Sequence, residues 1–472
     1  MTRYQLATEI FSLPRGREHI VYAPLQRTSL LVNDAALNLL ADIAAERSLP
    51  RDSRTREVLD LLLELELIGP KSGRRGAGPT GPTRQPDAAT PHERPAADVT
   101  PIPLRPTACT LFLTTACNLR CLYCYASGGD RPRHLDERVA RDAIDFIVSN
   151  AVESEVGEVT VAFHGGGEPT LAGETLVHCV EHARRRCREH GLELSTGVAT
   201  NGVMGDGMRD YLADTMTSVM VSVDGPAAVQ DRLRPQANGG PSSAAVERTL
   251  ERLSAGACSV GARLTCTSDT IEHVPAAVRH LAADYKLATI HLEPLFACGR
   301  SLHHDLQPPS ADRFVETFRR CRALAAEHGV TVVYSGARQP SLAHAFCQAS
   351  APSFNVTSDG DITACYEVTG RDDPRAETFI YGAYDPAQRA FAFDDARIAA
   401  LRRLTVDDAP RCALCFCKYH CAGDCASKRL YPGGEESVIA RCQINRRLTR
   451  DQLEDALMGT PVPAGVEALT KG

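Results

Sequence analysis

Three cysteines at short, regular spacing are the residues of this chain best suited to chemistry. Cys117, Cys121 and Cys124 lie in the segment TTACNLRCLYCYA, directly after an apolar run that is typical of a buried β-strand. A loop that follows a parallel strand is where α/β enzymes place reactive groups. Structural zinc requires four ligands of Cys or His type, and this loop offers three cysteines and no histidine. Three thiolates on a four-iron cluster would instead leave one iron open to a bound molecule.

The spacing C-x3-C-x2-C, with an aromatic residue before the last cysteine, resembles that of the radical S-adenosylmethionine (SAM) superfamily. In that family SAM chelates the open iron of a 4Fe-4S cluster and is reductively cleaved. The turn after the next strand, HGGGEP, is similar to the family's GGEP motif, in which glycines bring backbone close to SAM and polar groups bind its ammonium. The resemblance implies that the SAM site includes Gly166, Gly167, Glu168 and Pro169.

Further polar residues follow the next predicted strands. The segments TNG and SVDG match positions that contact the ribose and methionine portions of SAM in relatives, which implies SAM contacts by Asn201 and Ser222. Arg263 and Glu293, on the fifth and sixth strands, point by position toward the same mouth and are candidates for further SAM contacts. Each of these segments could instead be an ordinary turn or a solvated rim.

A second group of cysteines occupies the C-terminal part of the chain. Its spacing, C-x12-G-x4-C and then C-x2-C-x5-C-x3-C-x16-C, closely resembles the SPASM domain of peptide-modifying radical SAM enzymes, which carries two auxiliary 4Fe-4S clusters. A pair of zinc sites is the alternative. The seven cysteines of this pattern are Cys347, Cys365, Cys412, Cys415, Cys421, Cys425 and Cys442.

The family's interleaved pattern implies an outer and an inner auxiliary cluster. The outer cluster would be held by Cys412, Cys415, Cys421 and Cys442. The inner cluster would be held by Cys347, Cys365 and Cys425, which leaves it one ligand short. Either Cys417 completes the inner cluster, or one iron stays open to a substrate thiolate or heteroatom. We favour the open site because Cys417 lies only two residues from a ligand of the outer cluster.

Two further residues are candidates for catalysis. Sulfatase-maturing relatives carry an aspartate just after the second cysteine of this domain, where it can act as a general base, whereas this chain has Tyr366. A tyrosine there could relay a proton or simply pack, and packing is the more frequent role. The difference disfavours formylglycine formation. Cys298 follows the sixth strand near the same mouth and could supply a reactive thiol.

The pattern of apolar residues predicts an α/β fold. Six strands alternate with helical stretches over residues 106–300, which predicts a parallel sheet in a partial (β/α)6 barrel of the TIM type. Residues 1–70 contain short strands and two amphipathic helices, which follow Asn33 and Ser53, and predict a small winged-helix-like domain.

The remaining segments complete the predicted domain organisation. Residues 71–105 hold seven prolines and four glycines without an apolar period, and predict a flexible linker. A bridging region is expected over 301–345 and the SPASM domain over 346–445, followed by a C-terminal helix or tail at 446–472.

The N-terminal domain is predicted to recognise a peptide. It has eight arginines, no lysine and ten acidic residues before residue 71, so it lacks the basic surface of a DNA-binding winged helix. Its strands and helices resemble the peptide-recognition element of ribosomal-peptide maturases and the peptide chaperone of pyrroloquinoline quinone biosynthesis. Such modules add a leader peptide to an exposed strand edge. The alternative is a structural lid.

The composition of the chain limits the classes of partner and the cellular compartment that we expect for the protein. The net charge is −7, from 52 basic and 59 acidic residues, so we expect neither a nucleic acid nor a membrane partner. No stretch approaches the roughly 18 apolar residues of a membrane span, and the N-terminus lacks the layout of a signal peptide. We therefore expect a cytoplasmic protein, in which most of the 18 cysteines stay unpaired.

These features predict a radical SAM enzyme that oxidatively modifies a ribosomally made peptide and forms a thioether or a carbon-based crosslink. The expected cofactors are SAM and three 4Fe-4S clusters. The expected partners are a precursor peptide with its leader and an electron donor such as flavodoxin or ferredoxin. The enzymatic alternatives are a sulfatase-type formylglycine dehydrogenase and an enzyme that acts on a small metabolite. A non-catalytic iron-sulfur carrier or leader-binding scaffold is the alternative of another class.

Overall fold

The chain folds into two compact units. In the first unit, residues 3–71 combine with 414–419 and 449–459, and the second unit takes the described residues from 104 to 413 and from 420 to 448. The linker predicted over 71–105 lies, apart from its ends, outside the described residues. The computed structural model describes residues 3–71, 104–338, 341–351 and 353–459.

The first unit begins with short strands and two helices. Strands β2, β3 and β4 form an antiparallel sheet in that order, and β1 pairs with β5. The apolar side chains of both helices pack with those of β3 and β4 in one core. The elements are β1 (Tyr4–Leu6), β2 (Phe11–Arg15), β3 (Glu18–Ala23), β4 (Thr28–Val32), α1 (Asp34–Ala44), α2 (Ser53–Glu64) and β5 (Ile68–Pro70).

The N-terminal ends of α1 and α2 can be compared with the two helix boundaries that the sequence predicts. Asn33 is the N-cap of α1, as expected, and its side chain accepts the N–H of Ala36. The prediction that α2 follows Ser53 is wrong by one residue, because Ser53 is the first helical residue and Asp52 is the N-cap. The Asp52 carboxylate accepts both the N–H and the hydroxyl of Thr55, at 2.7 and 2.9 Å, and so satisfies a free donor of the first turn.

The second unit is built on a parallel sheet with helical crossovers. All six strands predicted over residues 106–300 are present, and a seventh, β12, extends the parallel part. The strands are β6 (Ala108–Leu111), β7 (Glu158–Phe163), β8 (Glu193–Thr200), β9 (Ser218–Ser222), β10 (Ser259–Cys266), β11 (Thr289–Pro294) and β12 (Thr331–Val333). The helices are α3 (Glu137–Glu153), α4 (Gly173–His190), α5 (Asp206–Thr215), α6 (Ala227–Leu233), α7 (Ser243–Ser254), α8 (Val274–Asp284) and α9 (Ala311–Ala326).

Alternation along each strand separates two faces of this sheet. Val159, Val161 and Phe163 of β7 are fully buried in the main core, which also contains the apolar side chains of the helices. The intervening Thr160 and Ala162 are only partly buried and lie on the opposite face. We call this second face, which carries the odd-numbered residues of β10 and β11, the inner face of the sheet.

Four more strands continue the same sheet beyond β6, a feature that the weak periodicity of this region did not predict. Strand β13 runs parallel to β6, whereas β14, β15 and β16 are antiparallel. The eleven-stranded sheet ends at β12 and β16, which leaves it open. These elements are β13 (Phe354–Val356), β14 (Asp361–Thr363), α10 (Ala376–Phe379), β15 (Ile380–Asp385), β16 (Ala390–Phe393), α11 (Asp395–Arg402), α12 (Lys418–Cys421), α13 (Ala426–Arg429) and α14 (Glu435–Gly459).

The last part of α14 belongs to the first unit. There Leu453 packs in a small core with Ile20 and Tyr22 of β3, and Phe416 packs against the same core. In the described parts of the chain, no helix is both long and apolar enough to cross a membrane.

Candidate functional site

The three cysteines of the C-x3-C-x2-C segment lie in the loop between β6 and α3. Their thiols are close enough to influence one another: burial is the main cause that raises the pKa of Cys121 to about 12, and Cys124 and Cys117 raise it further. The Sγ of Cys124 accepts the N–H of Gly128 at 3.4 Å. The loop therefore brings three thiols together.

The glycine turn after β7 packs backbone to backbone against the cysteine loop. The N–H of Gly167 donates to the carbonyl of Thr114 at 3.0 Å, and the N–H of Glu168 donates to Ala116 at 2.8 Å. A Cβ at position 167 would lie 2.0 Å from the Ala116 carbonyl oxygen, so only glycine fits there. Gly166 has a φ of +68°, a conformation that glycine adopts at little cost. These glycines hold the turn against the loop that carries the thiols.

Glu168 joins the loops after β7 and β8. Its carboxylate is 2% exposed and accepts the hydroxyl of Thr200 and the N–H of Asn201, both at 2.7 Å. The hydroxyl of Thr170 donates to it at 2.8 Å. Burial raises the pKa of Glu168, and these hydrogen bonds oppose the rise. The carboxylate is thus engaged by the chain's own donors, and its position orders Asn201.

Asn201 lies beside the first cysteine. Its Nδ2 donates to the Oδ1 of Asn118 at 2.8 Å and lies 3.8 Å from the Sγ of Cys117. Its Oδ1 accepts the N–H of Val203 at 2.8 Å. Sequence reasoning missed Asn118, although its place directly after Cys117 was a usable signal.

A buried arginine that sequence reasoning also missed lies on the cysteine side of the site. Arg234 is 8% exposed, and its Nε and Nη1 have no hydrogen-bond partner in the part of the chain that the structure describes. Its guanidinium lies 5.7 Å from the ring centre of Tyr123, and its Nε lies 3.9 Å from Asp224. Burial alone would lower the pKa of Arg234, but Tyr123, Cys121, Asp224 and Cys117 raise it. No spacing in the sequence marked this residue.

The loop after β11 is hydrogen-bonded to the cysteine loop. The N–H of Arg300 donates to the carbonyl of Cys124 at 3.0 Å, and its guanidinium donates to Cys121 and Gly128, both at 3.1 Å. The neighbouring Cys298 is 5% exposed, and burial, the largest cause, raises its pKa to about 12. At neutral pH its thiol is therefore protonated, which argues against an activated nucleophile there.

The other predicted SAM contacts lie on neighbouring strands of the inner face. Ser222 of β9 pairs in register with Arg263 of β10, and Arg263 is exposed. Glu293 of β11 is 7% exposed and accepts the N–H and hydroxyl of Ser335, both at 3.0 Å. It also lies 3.7 Å from Arg441. The carboxylate of Glu293 is therefore engaged within the fold, whereas the guanidinium of Arg263 is not.

Tyr366 lies against the inner face. It is 46% exposed, and its ring lies 4.9 Å from that of His164 and 6.4 Å from that of Phe112. Its hydroxyl is 3.4 Å from the hydroxyl of Thr110. This position combines packing with an accessible hydroxyl, so the geometry suits both roles that the sequence left open.

The cysteines of the second group lie at several places in the fold. In the second unit, Cys425 acts electrostatically on Cys365, and Cys412 and Cys421 act on Cys442. Cys347, the remaining member in this unit, is exposed. All 18 cysteines are described, and none forms a disulfide.

Cys415 and Cys417 belong to the first unit. Their Sγ atoms are 3.7 Å apart. Cys417 is buried and acts electrostatically on Tyr22, whose pKa is raised mainly by burial.

The donor set fits a 4Fe-4S cluster with SAM. Within the described residues, no three His, Cys, Asp or Glu side chains converge on one point as a single metal ion would require. A cluster differs in this respect because each thiolate binds a different iron. The donor groups that suit a cluster together with an anionic ligand are the three thiols of the first loop, the glycine turn beside them and the N–H groups of Arg234 that form no hydrogen bond within the described residues.

A separate cavity of about 280 Å³ lies behind the loop after β9, among α6, α7 and α8. Its lining is largely aliphatic, and none of the predicted site residues contributes to it. It is distinct from the cysteine loop.

Comparison with known proteins gives a consistent result. The radical SAM superfamily model matches residues 111–281. A cysteine-type anaerobic sulfatase-maturating enzyme from Clostridium perfringens is 27% identical over 209 residues, which cover 43% of this chain and 56% of that protein. The mycofactocin maturase MftC from Mycolicibacterium smegmatis is 32% identical over 212 residues, which cover 43% of this chain and 48% of that protein.

A solved structure, native anSMEcpe with bound AdoMet and Cp18Cys peptide, is similar with a TM-score of 0.55 and 16% identity, over 75% of this chain and 100% of that chain. At this identity the similarity shows the fold. The chain spans about half the length of the curated relatives it matches. The matched residues 111–281 contain the cysteine loop, the glycine turn and the loops after β8 and β9, and they form a radical SAM domain.

Proposed function

We propose that the chain is a radical SAM peptide maturase, which oxidatively modifies a ribosomally made peptide. The observation that carries the proposal is the packing of the glycine turn against the loop of Cys117, Cys121 and Cys124. That packing sets three thiols beside the backbone of the glycine turn and beside the amide of Asn201. An iron-sulfur carrier without SAM would have no use for polar groups after successive strands.

In this proposal the chain's residues have distinct tasks. The three thiolates would hold the cluster. The backbone of Gly166 and Gly167, Asn201 after β8 and Ser222 at the end of β9 would bind SAM. Bound there, the cluster and SAM supply a 5′-deoxyadenosyl radical once a flavodoxin- or ferredoxin-type donor delivers an electron.

Two more residues shape the electrostatics of this site. Arg234 places a buried positive charge beside Cys117 and Cys121, where it favours an anionic ligand such as the SAM carboxylate. Arg300 fixes the carbonyls of Cys121 and Cys124, so the loop keeps its shape when the thiols bind iron. Both residues therefore organise the site before any ligand binds.

The peptide undergoes a net two-electron oxidation. One hydrogen atom passes from the peptide to the deoxyadenosyl group, which becomes 5′-deoxyadenosine. The peptide radical then loses one electron and one proton as the thioether or carbon-based bond forms. We propose that the cysteines of the second group would hold two auxiliary clusters, which would accept that electron.

The first unit is proposed to hold the leader of the precursor peptide. Its three-stranded sheet has two edges, at β2 and β4, and an extended peptide can add to such an edge through backbone hydrogen bonds. We include in this proposal that the first unit is a winged-helix-like domain and that the protein is cytoplasmic.

A second candidate is formylglycine formation on a sulfatase. The match to the C. perfringens sulfatase-maturating enzyme favours it. Tyr366 replaces the aspartate that the sulfatase-maturing family carries after its second SPASM cysteine, and a tyrosine is a poorer general base at neutral pH. Peptide crosslinking is therefore the first candidate.

The test is co-expression with short precursor peptides encoded beside the gene, followed by mass spectrometry of the peptide. The proposal expects a loss of two hydrogens that depends on Cys124, so the Cys124→Ala variant should leave the peptide unmodified. A Cys179→Ala variant, which changes a buried core cysteine, is the matched control and should retain the product. An aldehyde that reacts with a hydrazide would establish the formylglycine route instead, and unmodified peptides in every co-expression would contradict both.

A further inference from the structure

Arg263 presents an unpaired guanidinium on the inner face of the parallel sheet. It lies in the middle of β10, in register with Ser222 on one side and with His291 of β11 on the other. Residues in register on parallel strands project from the same face, so these three side chains are neighbours. Arg263 is exposed, and no hydrogen bond or ion pair joins its side chain to another described residue.

Two imidazoles share this face with the guanidinium. His291 lies beside Arg263 in the sheet, and His164 follows the last residue of β7. The Nδ1 of His164 is buried and has no hydrogen-bond partner among the residues that the structure describes. Burial lowers the pKa of both imidazoles, and Arg263 lowers both further, in agreement with the position of all three residues on the inner face.

Within the described residues, the carboxylate that acts on this space is that of Glu293, which raises the pKa of His291. Glu293 is the nearest carboxylate along β11, two positions after His291, and it is occupied by Ser335 and lies 3.7 Å from Arg441. A guanidinium with five N–H donors and an imidazole with a free ring nitrogen are suited to a carboxylate, which accepts hydrogen bonds from both. The exposed ring of Tyr366 packs on His164 and adds an aromatic wall.

SAM is not the best source of that carboxylate. In the proposed function the carboxylate of SAM would be bound at the cysteine loop, where Arg234 favours an anionic ligand. Arg234 is the guanidinium that acts electrostatically on Cys117 and Cys121. Arg263 acts on His164 and His291 of the inner face and on Tyr125, which follows Cys124. Arg234 and Arg263 therefore act on different groups, and we assign them to two different anions.

We propose that Arg263, His164 and His291 form a carboxylate-binding pocket that holds an acidic group of the substrate peptide next to the residue that is modified. This inference rests on the proposed function and specifies its substrate class. The acidic group is either an Asp or Glu side chain or the peptide's C-terminal carboxylate, because both present the same two oxygens to the pocket.

The test measures binding without turnover. Holoenzyme with reconstituted clusters is titrated anaerobically with three small probes and observed by saturation-transfer NMR. N-acetylglutamate N-methylamide presents a side-chain carboxylate, N-acetylglycine presents a C-terminal carboxylate, and N-acetylglutamine N-methylamide is the neutral match. The same titrations use Arg263→Gln, Arg263→Lys and the control Arg248→Gln, which changes an exposed arginine on α7.

The proposal expects one carboxylate probe to bind at least about tenfold more tightly than the neutral probe. Arg263→Gln should abolish this preference, Arg263→Lys should retain part of it, and Arg248→Gln should leave it unchanged. The probe that wins identifies the source of the carboxylate. The affinity for SAM, measured by equilibrium dialysis, should not change in Arg263→Gln.

Three results would overturn the pocket. Equal binding of acidic and neutral probes to the wild-type protein does so without any variant, even if Arg263→Gln fails to fold. A preference that survives in Arg263→Gln would place the carboxylate elsewhere. Weaker SAM binding in Arg263→Gln, with probe binding unchanged, would assign the guanidinium to SAM. Because probe binding requires no radical chemistry, an absence of 5′-deoxyadenosine would count against the proposed function alone.

Discussion

The carboxylate of Glu168 accepts the backbone N–H of Asn201 at 2.7 Å, and this hydrogen bond joins the glycine turn after β7 to the loop after β8. Asn201 in turn places its amide 3.8 Å from the Sγ of Cys117. A single buried carboxylate therefore sets the distance between the proposed SAM-binding backbone and the proposed cluster ligands. Its role in the site is positional.

Glu168→Gln should weaken SAM binding while the cluster still assembles. The glutamine amide cannot accept from both Thr200 and Asn201, so one buried donor is left facing an N–H group at a cost of about 1–3 kcal/mol. We expect the dissociation constant for SAM to rise roughly tenfold, as measured by equilibrium dialysis. Glu174→Gln, at an exposed position on α4, is the control and should bind SAM normally. Unchanged affinity in Glu168→Gln would refute the positional role.

Arg234 should raise the reduction potential of the bound cluster, because a buried positive charge beside Cys117 and Cys121 stabilises the added electron. Arg234→Gln should lower the potential by on the order of 60 mV, a tenfold change for one electron. EPR-monitored redox titration measures this shift. Arg234→Lys should restore most of the potential. Arg232→Gln, which removes an exposed partner of Asp269, should leave it unaltered.

The ion pair of Asp424 and Arg441 should contribute strongly to stability. Arg441 donates two hydrogen bonds to the carboxylate, at 2.9 and 3.0 Å, and both residues are buried. Burial opposes ionisation of Asp424, but Arg441 lowers the pKa of Asp424 to about 2. Arg441→Met leaves a buried carboxylate unpaired and should cost about 3–5 kcal/mol.

Because the chain contains no tryptophan, far-UV circular dichroism is the appropriate probe of urea unfolding for this variant. Arg252→Met, which removes an arginine paired with Asp210 and Asp214 near the surface, is the control. It should cost at most about 1 kcal/mol. Equal losses in the two variants would contradict the assignment.

His164 should make the folded protein less stable in mild acid. Burial, assisted by Arg263, lowers the pKa of His164 to about 4, whereas an unfolded histidine titrates near 6.5. Below about pH 6.5 the unfolded chain therefore binds a proton that the folded chain refuses, and the free energy of unfolding falls until the pH reaches about 4. The groups that face the ring are Arg263 and Tyr366.

His164→Phe keeps an aromatic ring against Tyr366 and removes the titration. The thermal midpoint of this variant should decline less between pH 7.5 and pH 5 than that of the wild-type protein. His304→Gln, at an exposed position, should decline as the wild type does. An identical pH profile for His164→Phe and the wild type would show that His164 binds its proton equally well in the folded and unfolded chains, and would contradict this account.

The sequence was most informative where short segments determine the structure. Alternating apolar residues identified β6 to β11, and local spacing identified the cysteine loop and the glycine turn. The three-residue strands β12, β13 and β14 are too short to show a period, so the extension of the sheet was not predicted. The relation of Glu168 to Asn201 also escaped prediction, because it joins loops 33 positions apart.

Charged residues were the least predictable part of the site. Glu293 and Arg263 both lie on the inner face, but only the fold reveals that Glu293 is engaged by Ser335 while the guanidinium of Arg263 has no hydrogen-bond or ion-pair partner among the described residues. Arg234 carries no recognisable spacing, yet it lies beside the thiols. These differences depend on long-range contacts, which the periodicity of the sequence does not show.

The formation of 5′-deoxyadenosine tests the central claim most directly. The protein is reconstituted anaerobically with iron and sulfide, its clusters are confirmed by absorption and EPR spectroscopy, and SAM and dithionite are added. The account predicts 5′-deoxyadenosine and methionine in equal amounts from the wild-type protein and from Cys179→Ala, and none from Cys124→Ala. A wild-type protein with a confirmed cluster at Cys117, Cys121 and Cys124 that releases no 5′-deoxyadenosine would contradict it.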